Sequence, residues 1–184
     1  MDPLSLYHLY YEENSDLWNT LYTHSRMVAD KALYAAETYL KKHKNAVIDL
    51  EFIEIGSMLH DIGIFKTHFP SLGLFGDAPY LMHGIYGREL LESHGLPPLA
   101  LVCERHVGVG ITAEEIRQNH LPLPERDMVP ISIEEQIICY ADKFYSKDPG
   151  RLKTEKTATL IASKLLRFGK DKSDTFLKWH SMFS

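Results

Sequence analysis

The strongest constraint on this chain is the period of its apolar residues. Almost every apolar segment repeats at about 3.6 residues, and no stretch alternates convincingly with a period of two. A chain patterned this way buries its apolar stripes helix against helix, so the reading is all-α. Asn14-Ser15-Asp16 is capping chemistry for a long helix over about 17–43, with an inward stripe of Val28, Ala32, Ala35, Tyr39 and Leu40. Helices are also expected over 3–13, 49–62, 81–94, 97–107 and 133–147, with a short one opening at Thr112-Ala113-Glu114-Glu115. Residues 63–80, with Phe-Pro, three glycines and Ala-Pro, read as a loop long enough to serve as a lid or a wall of an active site. Residues 152–182 read as helical with a break near Gly169, and as the part least tied to any site.

At 184 residues the chain is long enough to bury one full core, and its 45% hydrophobic and 24% charged content is ordinary for a globular protein. The reading is a single all-α domain, 1–184. The net charge of −5 argues against a nucleic-acid-binding surface, while a small phosphorylated substrate needs only a few Lys or Arg residues. No basic-then-apolar leader and no bilayer-length apolar run is visible, so no membrane partner is expected. Cys103 and Cys139 read as free thiols, and the expectation is a cytoplasmic protein.

Several polar residues fall on apolar faces. Met58-Leu59-His60-Asp61-Ile62-Gly63 places an imidazole and a carboxylate side by side at the end of an apolar helix. His24 lies four residues before Val28. His83 is in line with Tyr86, Gly87, Leu90 and Leu91; His106 with Leu99, Val102 and Cys103; Asp142 with Glu135, Ile138, Cys139 and Tyr145. A single inward histidine is usually bonded to a backbone carbonyl, and an inward aspartate is usually a cap or half of an ion pair. Six such groups from five helices each need a partner to avoid a desolvation cost of roughly 1–3 kcal/mol. One or two divalent cations satisfy all six at once. Imidazoles and carboxylates without thiolate suit Fe, Mn, Ni, Zn or Mg without choosing among them. Cys103 and Cys139 precede proposed ligands by three residues on the same face and read as small core residues. His68, Asp77 and His94 lie near the site in sequence, and His68 is placed for proton transfer from the loop.

The order His24, His60-Asp61, Asp142 resembles the H…HD…D signature of the HD superfamily of metal-dependent phosphohydrolases, and His60-Asp61-Ile62-Gly63 is similar to its HDIG form. The likeness continues through His83-Gly84-x-x-Gly87, Arg105-His106-x-Gly108 and Ala141-Asp142-Lys143. It covers an HD core at about 20–147, leaving 150–184 as a C-terminal helical extension to an HD-domain helical bundle. The two further histidines resemble subgroups that hold two metals, such as hydrolases of symmetrical dinucleoside tetraphosphates and the HD-GYP phosphodiesterases; the Gly-Tyr-Pro motif of the latter is absent. The resemblance implies one metal on His24, His60, Asp61 and Asp142, with Asp61 bridging to a second on His83 and His106. It implies water attack on a small phosphate ester or anhydride, a nucleotide first among them. Many HDIG proteins carry Lys directly after the glycine. Here that position is Ile64, so Lys66, Arg105 and Lys143 are the candidates for phosphate contact. Alternatives on the same ligand set are a di-iron oxygenase and a non-catalytic, metal-stabilised nucleotide-binding module. A second copy of the chain is a candidate partner.

Overall fold

The computed structural model describes residues 2–184, and among them nine α-helices do most of the folding. They are α1 (Pro3–Tyr10), α2 (Asp16–Lys42), α3 (Leu50–Leu59), α4 (His83–Ser93), α5 (Pro97–Arg105), α6 (Ala113–Gln118), α7 (Ile133–Asp142), α8 (Ala158–Leu165) and α9 (Lys170–Phe183). Their starts follow the capping signals. Ser15, Asp49, Thr112, Ser132 and Thr157 each accept a backbone N–H of the first turn through the side chain. Thr112 with Glu115 and Ser132 with Glu135 close full capping boxes.

Three differences from the sequence reading concern boundaries. The segment 63–80 is not plain loop, for it carries a small sheet of β1 (Thr67–Phe69), β2 (Leu74–Phe75) and β3 (Ala78–Pro79) in the order β2-β1-β3. β1 runs antiparallel to β2 and parallel to β3. Strands of two or three residues are too short to show a period of two, which is why the pattern did not reveal them. The third helix ends at Leu59, and α7 ends at Asp142 rather than near 147. His60 to Gly63 form tight turns in which Ile62 N–H bonds Leu59 O at 3.0 Å and Ile64 N–H bonds Asp61 O at 3.0 Å. The backbone is still at helical values at His60 (φ −53°, ψ −30°), so the apolar period runs past the true helix end.

The largest core cluster joins α2, α3 and α7 to α8 and α9, through Val28, Ala32, Ile53, Ile138, Tyr140, Ile161, Phe176 and Phe183. A second cluster packs α1 under α3, α4 and α5, through Tyr7, Tyr11, Leu21, Leu59, Ile62, Leu91 and Cys103. Two tyrosines of this cluster hold the backbone on either side of His60-Asp61. The Tyr7 hydroxyl donates to Met58 O at 2.6 Å and meets Ser25 Oγ at 2.9 Å, and the Tyr11 hydroxyl donates to Ile62 O at 2.6 Å. Tyr11→Phe leaves a buried carbonyl without that donor. It is expected to lower stability by about 1–2 kcal/mol, read from the urea midpoint at constant slope; an unchanged midpoint would remove the bracing role.

Candidate metal centre

The polar side chains that broke the apolar pattern converge on one point. His24 comes from the middle of α2, His60 and Asp61 from the turn after α3, His83 from the first residue of α4, His106 from the end of α5, and Asp142 from the end of α7. None of the six is more than 9% exposed, and His60 and Asp61 are fully buried.

Asp61 stands at the centre and its two oxygens face different partners. Oδ2 lies 2.9 Å from His60 Nε2 and 3.4 Å from His24 Nε2, and those two imidazoles also meet Asp142 Oδ1 at 3.4 and 3.1 Å. Oδ1 lies 3.3 Å from His83 Nε2 and 3.4 Å from His106 Nε2. The donor atoms thus fall into two groups that share Asp61: His24, His60, Asp61 and Asp142, and Asp61, His83 and His106. Donors at about 2.1 Å from a common ion are separated by roughly 3.0 Å in octahedral and 3.4 Å in tetrahedral arrangements, which matches these spacings.

The tautomers make the case for a cation physical. His60 Nδ1 lies 2.7 Å from Ser57 O, His83 Nδ1 2.6 Å from Tyr80 O, and His106 Nδ1 2.8 Å from Cys103 O. A carbonyl only accepts, so each Nδ1 carries a proton, and where the ring is neutral, as at His83 and His106, Nε2 turns a lone pair inward. His83 Nε2 and His106 Nε2 then face each other lone pair to lone pair at 3.1 Å, while His24 Nε2 and His60 Nε2 lie 3.4 Å apart. Lone pair against lone pair repels, and so would imidazolium against imidazolium. Neither Asp61 oxygen has a hydrogen bond of good geometry in this crowd. A divalent ion would turn the His83–His106 contact from repulsive to shared and give the Asp61 oxygens a partner, and the backbone bond behind His60, His83 and His106 is the usual support of a metal-bound histidine. The residues present fit such an ion.

Charge around the centre is tuned by the same neighbours. Burial raises the Asp61 carboxyl, yet His60, Lys147, His106 and His24 outweigh it and hold it well below the usual carboxylate range. Asp142 is likewise held low, against burial, by Lys143, His24, His60 and Lys147. Burial pushes His83 down to about 3 and also lowers His106, so both rings are neutral near pH 7. His60 is the exception. Burial lowers it, but Asp61 and Asp142 prevail and bring it to about 9.

A metal must displace that His60 proton. Protein stripped of metal is therefore expected to bind a divalent ion more tightly as pH rises, by about tenfold per unit from 7 towards 9, levelling off above. In the stripped protein the sign for stability is opposite: a raised His60 pKa stabilises fully below about 6.5, and that contribution is lost as pH rises through 9. Calorimetric titration with manganese at three pH values checks the first statement, and a flat affinity would exclude it. Saturating metal at 100 times its dissociation constant should stabilise the fold by about 2.7 kcal/mol; a melting midpoint indifferent to every divalent ion would contradict a folded-state metal site.

The candidates for phosphate contact have different surroundings. Lys66 is exposed, with its ammonium 5.1 Å from the centre of the Tyr86 ring. Arg105 turns to Glu135, with Nη1 2.8 Å from Oε1. Lys143 lies at the centre's edge, donating to Asp142 Oδ2 at 2.7 Å and to His106 O at 3.1 Å. Sequence reasoning missed Lys147, whose ammonium is 2.6 Å from Asp61 Oδ2 and 16% exposed. It lies five residues past Asp142, beyond the helix end, where no periodicity reports direction. Burial lowers Lys147, but Asp61, Tyr80 and Asp142 overcome it and keep the ammonium charged. Cys103 and Cys139 are free and buried, and their thiols point to Leu59 O and His106 O, each at 3.3 Å. His68 and Asp77 are exposed, and His94 pairs with the Tyr10 hydroxyl at 2.6 Å.

Beside the centre a cleft of about 530 Å³ is lined by Phe69, Leu72, Tyr80, Ser146 and Lys147. Phe69 and Tyr80 pack ring to ring at 4.9 Å, and Tyr80 also stacks on His83 at 4.7 Å. The small sheet therefore forms one wall of the approach to the site.

Fold and site together define a helical domain with a buried histidine–aspartate centre suited to divalent metal. The chain matches the HD domain over residues 21–146 and belongs to that family. It is 40% identical over 111 residues to an uncharacterized protein of Methanocaldococcus jannaschii, covering 59% of this chain and 58% of that one. Two tRNA (cytidine(56)-2'-O)-methyltransferases are also similar. That of Picrophilus torridus is 37% identical over 54% of this chain and 26% of its own length, and that of Thermoplasma volcanium 28% identical over 82% and 44%. The chain thus spans less than two thirds of the length of each of these relatives. Crystal structures of the L. monocytogenes phosphodiesterase PgpH HD domain, one of them in complex with cyclic-di-AMP, share the fold. Their TM-scores are 0.52 and 0.53 at 18% and 17% identity, over 96% and 97% of this chain and 94% of each PgpH chain. No helix among the described residues is long and apolar enough to cross a membrane.

Proposed function

We propose that this chain is a divalent-metal-dependent phosphohydrolase that cleaves a small phosphate ester or anhydride of a nucleotide. The observation that carries the reading is the split environment of Asp61, one oxygen towards His24 and His60 and the other towards His83 and His106. That arrangement favours two ions, with His24, His60, Asp61 and Asp142 holding one and Asp61, His83 and His106 the other. Bound there, divalent ions supply a nucleophile from water near neutral pH and neutralise charge building on the phosphoryl oxygens.

The chain's own residues do the rest. Carbonyl bonds behind His60, His83 and His106 fix ring direction and tautomer, so little reorganisation is needed when substrate arrives. Lys147 sits against Asp61 where an ion's charge would fall. An ion held there would take over that charge and leave the ammonium free for the cleft that Lys147 also lines, where it would neutralise a non-bridging phosphoryl oxygen. Phe69 and Tyr80 line the cleft that Lys147 also lines and offer aromatic faces on which a base could stack, and the cyclic-di-AMP held by the PgpH HD domain supports a nucleotide.

The test is elemental analysis followed by phosphate release from mononucleotides, cyclic dinucleotides and dinucleoside polyphosphates with each candidate metal. Two metals per chain and metal-dependent release are expected. No release across the panel, with oxygen consumption by the iron-loaded protein, would favour the oxygenase instead.

A further inference from the structure

A second, smaller cleft of about 230 Å³ opens beside Asp142 and is lined by Lys143, Lys147, Lys156 and Lys164. Four ammonium groups around one small cleft stand out in a chain of net charge −5. Two of them have carboxylate partners within the centre, Lys143 at 2.7 Å from Asp142 and Lys147 at 2.6 Å from Asp61. The other two do not. Lys156 is held by backbone oxygens only, 3.0 Å from Lys143 O and 2.6 Å from Tyr145 O. Among the described residues no carboxylate lies within ion-pair distance of Lys156 or Lys164. The nearby acids are engaged elsewhere: Glu155 with Lys31 at 2.6 Å and the Tyr145 hydroxyl at 3.0 Å, and Asp148 with Arg151 at 2.8 Å.

The lysines also feel one another. Burial above all, then repulsion from Lys143, Lys164 and Lys147 working against the attraction of Asp142, brings Lys156 down to about 8. Cations gathered at this cost to their own ionisation are stabilised by an anion among them. Lys147 also lines the aromatic cleft, so the two clefts meet at the residue that touches Asp61. Lys147, Lys156 and Lys164 all lie beyond residues 21–146, so three of the four lysines come from the segment after the matched HD core and only Lys143 from within it. The segment that looked least tied to the site reaches its edge.

We propose that the lysine-lined cleft is an anion subsite for a condensed phosphate chain, so that the substrate carries at least one phosphate beyond the one attacked. One phosphate at the centre would leave Lys156 and Lys164 without an anionic partner, whereas each further phosphate of a chain brings a new charge along the cleft. The place of the substrate rests on the phosphohydrolase reading; anion binding by the cleft does not.

The experiment is calorimetric titration of the full chain with inorganic tripolyphosphate and with orthophosphate, at fixed free magnesium. Tripolyphosphate is expected to bind at least about tenfold more tightly than orthophosphate. Lys164→Gln, at an exposed position with no bond to lose, should weaken tripolyphosphate about five- to tenfold and orthophosphate less than twofold. Lys156→Gln removes two carbonyl bonds, so its melting midpoint is read alongside, and a further loss of affinity is expected in the double variant. Equal tripolyphosphate affinity in the parent and Lys164→Gln overturns the subsite, as does tighter Lys164-dependent binding of a ten-nucleotide RNA. Lys164-dependent tripolyphosphate binding without any phosphate hydrolysis leaves the subsite standing and removes the phosphohydrolase reading. Hydrolysis of a nucleoside triphosphate with KM unchanged by Lys164→Gln does the reverse.

Discussion

Asp61→Asn is expected to lower metal affinity and phosphate-ester turnover by at least about 100-fold. Changes to residues that merely orient a metal ligand already cost 10–100-fold in affinity or activity, so removing charge from the ligand proposed to be shared belongs at or beyond the top of that range. The amide keeps the shape and one oxygen. It loses the anion that His24, His60, His83, His106 and Lys147 all face within 3.4 Å. Its nitrogen is a donor, and it must turn towards one set of partners or the other, so one group of ligands keeps its oxygen and the other meets an N–H. Metal content should fall on both sides of the residue. His83→Ala, which leaves the His24, His60 and Asp142 side intact, should remove one ion rather than both. The readouts are metal per chain by elemental analysis and turnover at saturating manganese, with circular dichroism reporting the fold. An Asp61→Asn variant that keeps full metal content and full turnover would end the shared-ligand model.

Why the site could be read from one sequence, and where that reading stopped, has a physical reason. His24, His83 and Asp142 lie on helices and His106 caps the end of one, where a period of 3.6 reports direction, and each occupied a position its neighbours marked as inward. Their convergence could then be argued from desolvation, because six buried polar groups need a common partner. Lys147 lies in the irregular stretch after α7, and nothing in residue spacing says that a side chain there folds back onto Asp61. The same holds for Tyr7 and Tyr11. Their helical spacing shows that they share a face, but not that their hydroxyls reach carbonyls 51 residues away. Arg105 shows the converse limit. Adjacency to His106 made it a phosphate candidate, yet one helical position turns it by about 100°, towards Glu135. Periodicity gives facing, and packing decides which facing groups meet.

Gly63→Ala is expected to destabilise the protein by about 3 kcal/mol or more and to disturb the His83 side of the centre. A glycine just past an apolar helix commonly serves to end it. Its backbone says otherwise, with φ −84° and ψ 0°, which any residue can adopt. What forbids a side chain is the neighbour: a Cβ at Gly63 would stand 2.2 Å from Gly87 N, 2.4 Å from His83 O and 2.8 Å from Tyr86 C. All three are backbone atoms of α4, so no rotamer change relieves the clash and the helix itself must move. On its other side α4 has little room to yield, because Gly84 and Gly87 lie against Cys103 so closely that a Cβ at either would be 2.5 Å from Cys103 O or 2.9 Å from Cys103 Cβ. Displacing α4 carries His83 away from Asp61 Oδ1 and from His106, whose ring distance of 5.0 Å depends on that packing. The expected result is a sharply lowered urea midpoint and preferential loss of one metal, with the His24, His60 and Asp142 side less affected. Gly95→Ala supplies the contrast. There φ is +73° and nothing lies within 4 Å of the added Cβ, so its cost should be backbone strain alone, about 1–2 kcal/mol, with metal content unchanged. If Gly63→Ala and Gly95→Ala lower the midpoint equally and both retain full metal, then close approach of α4 is not what positions His83.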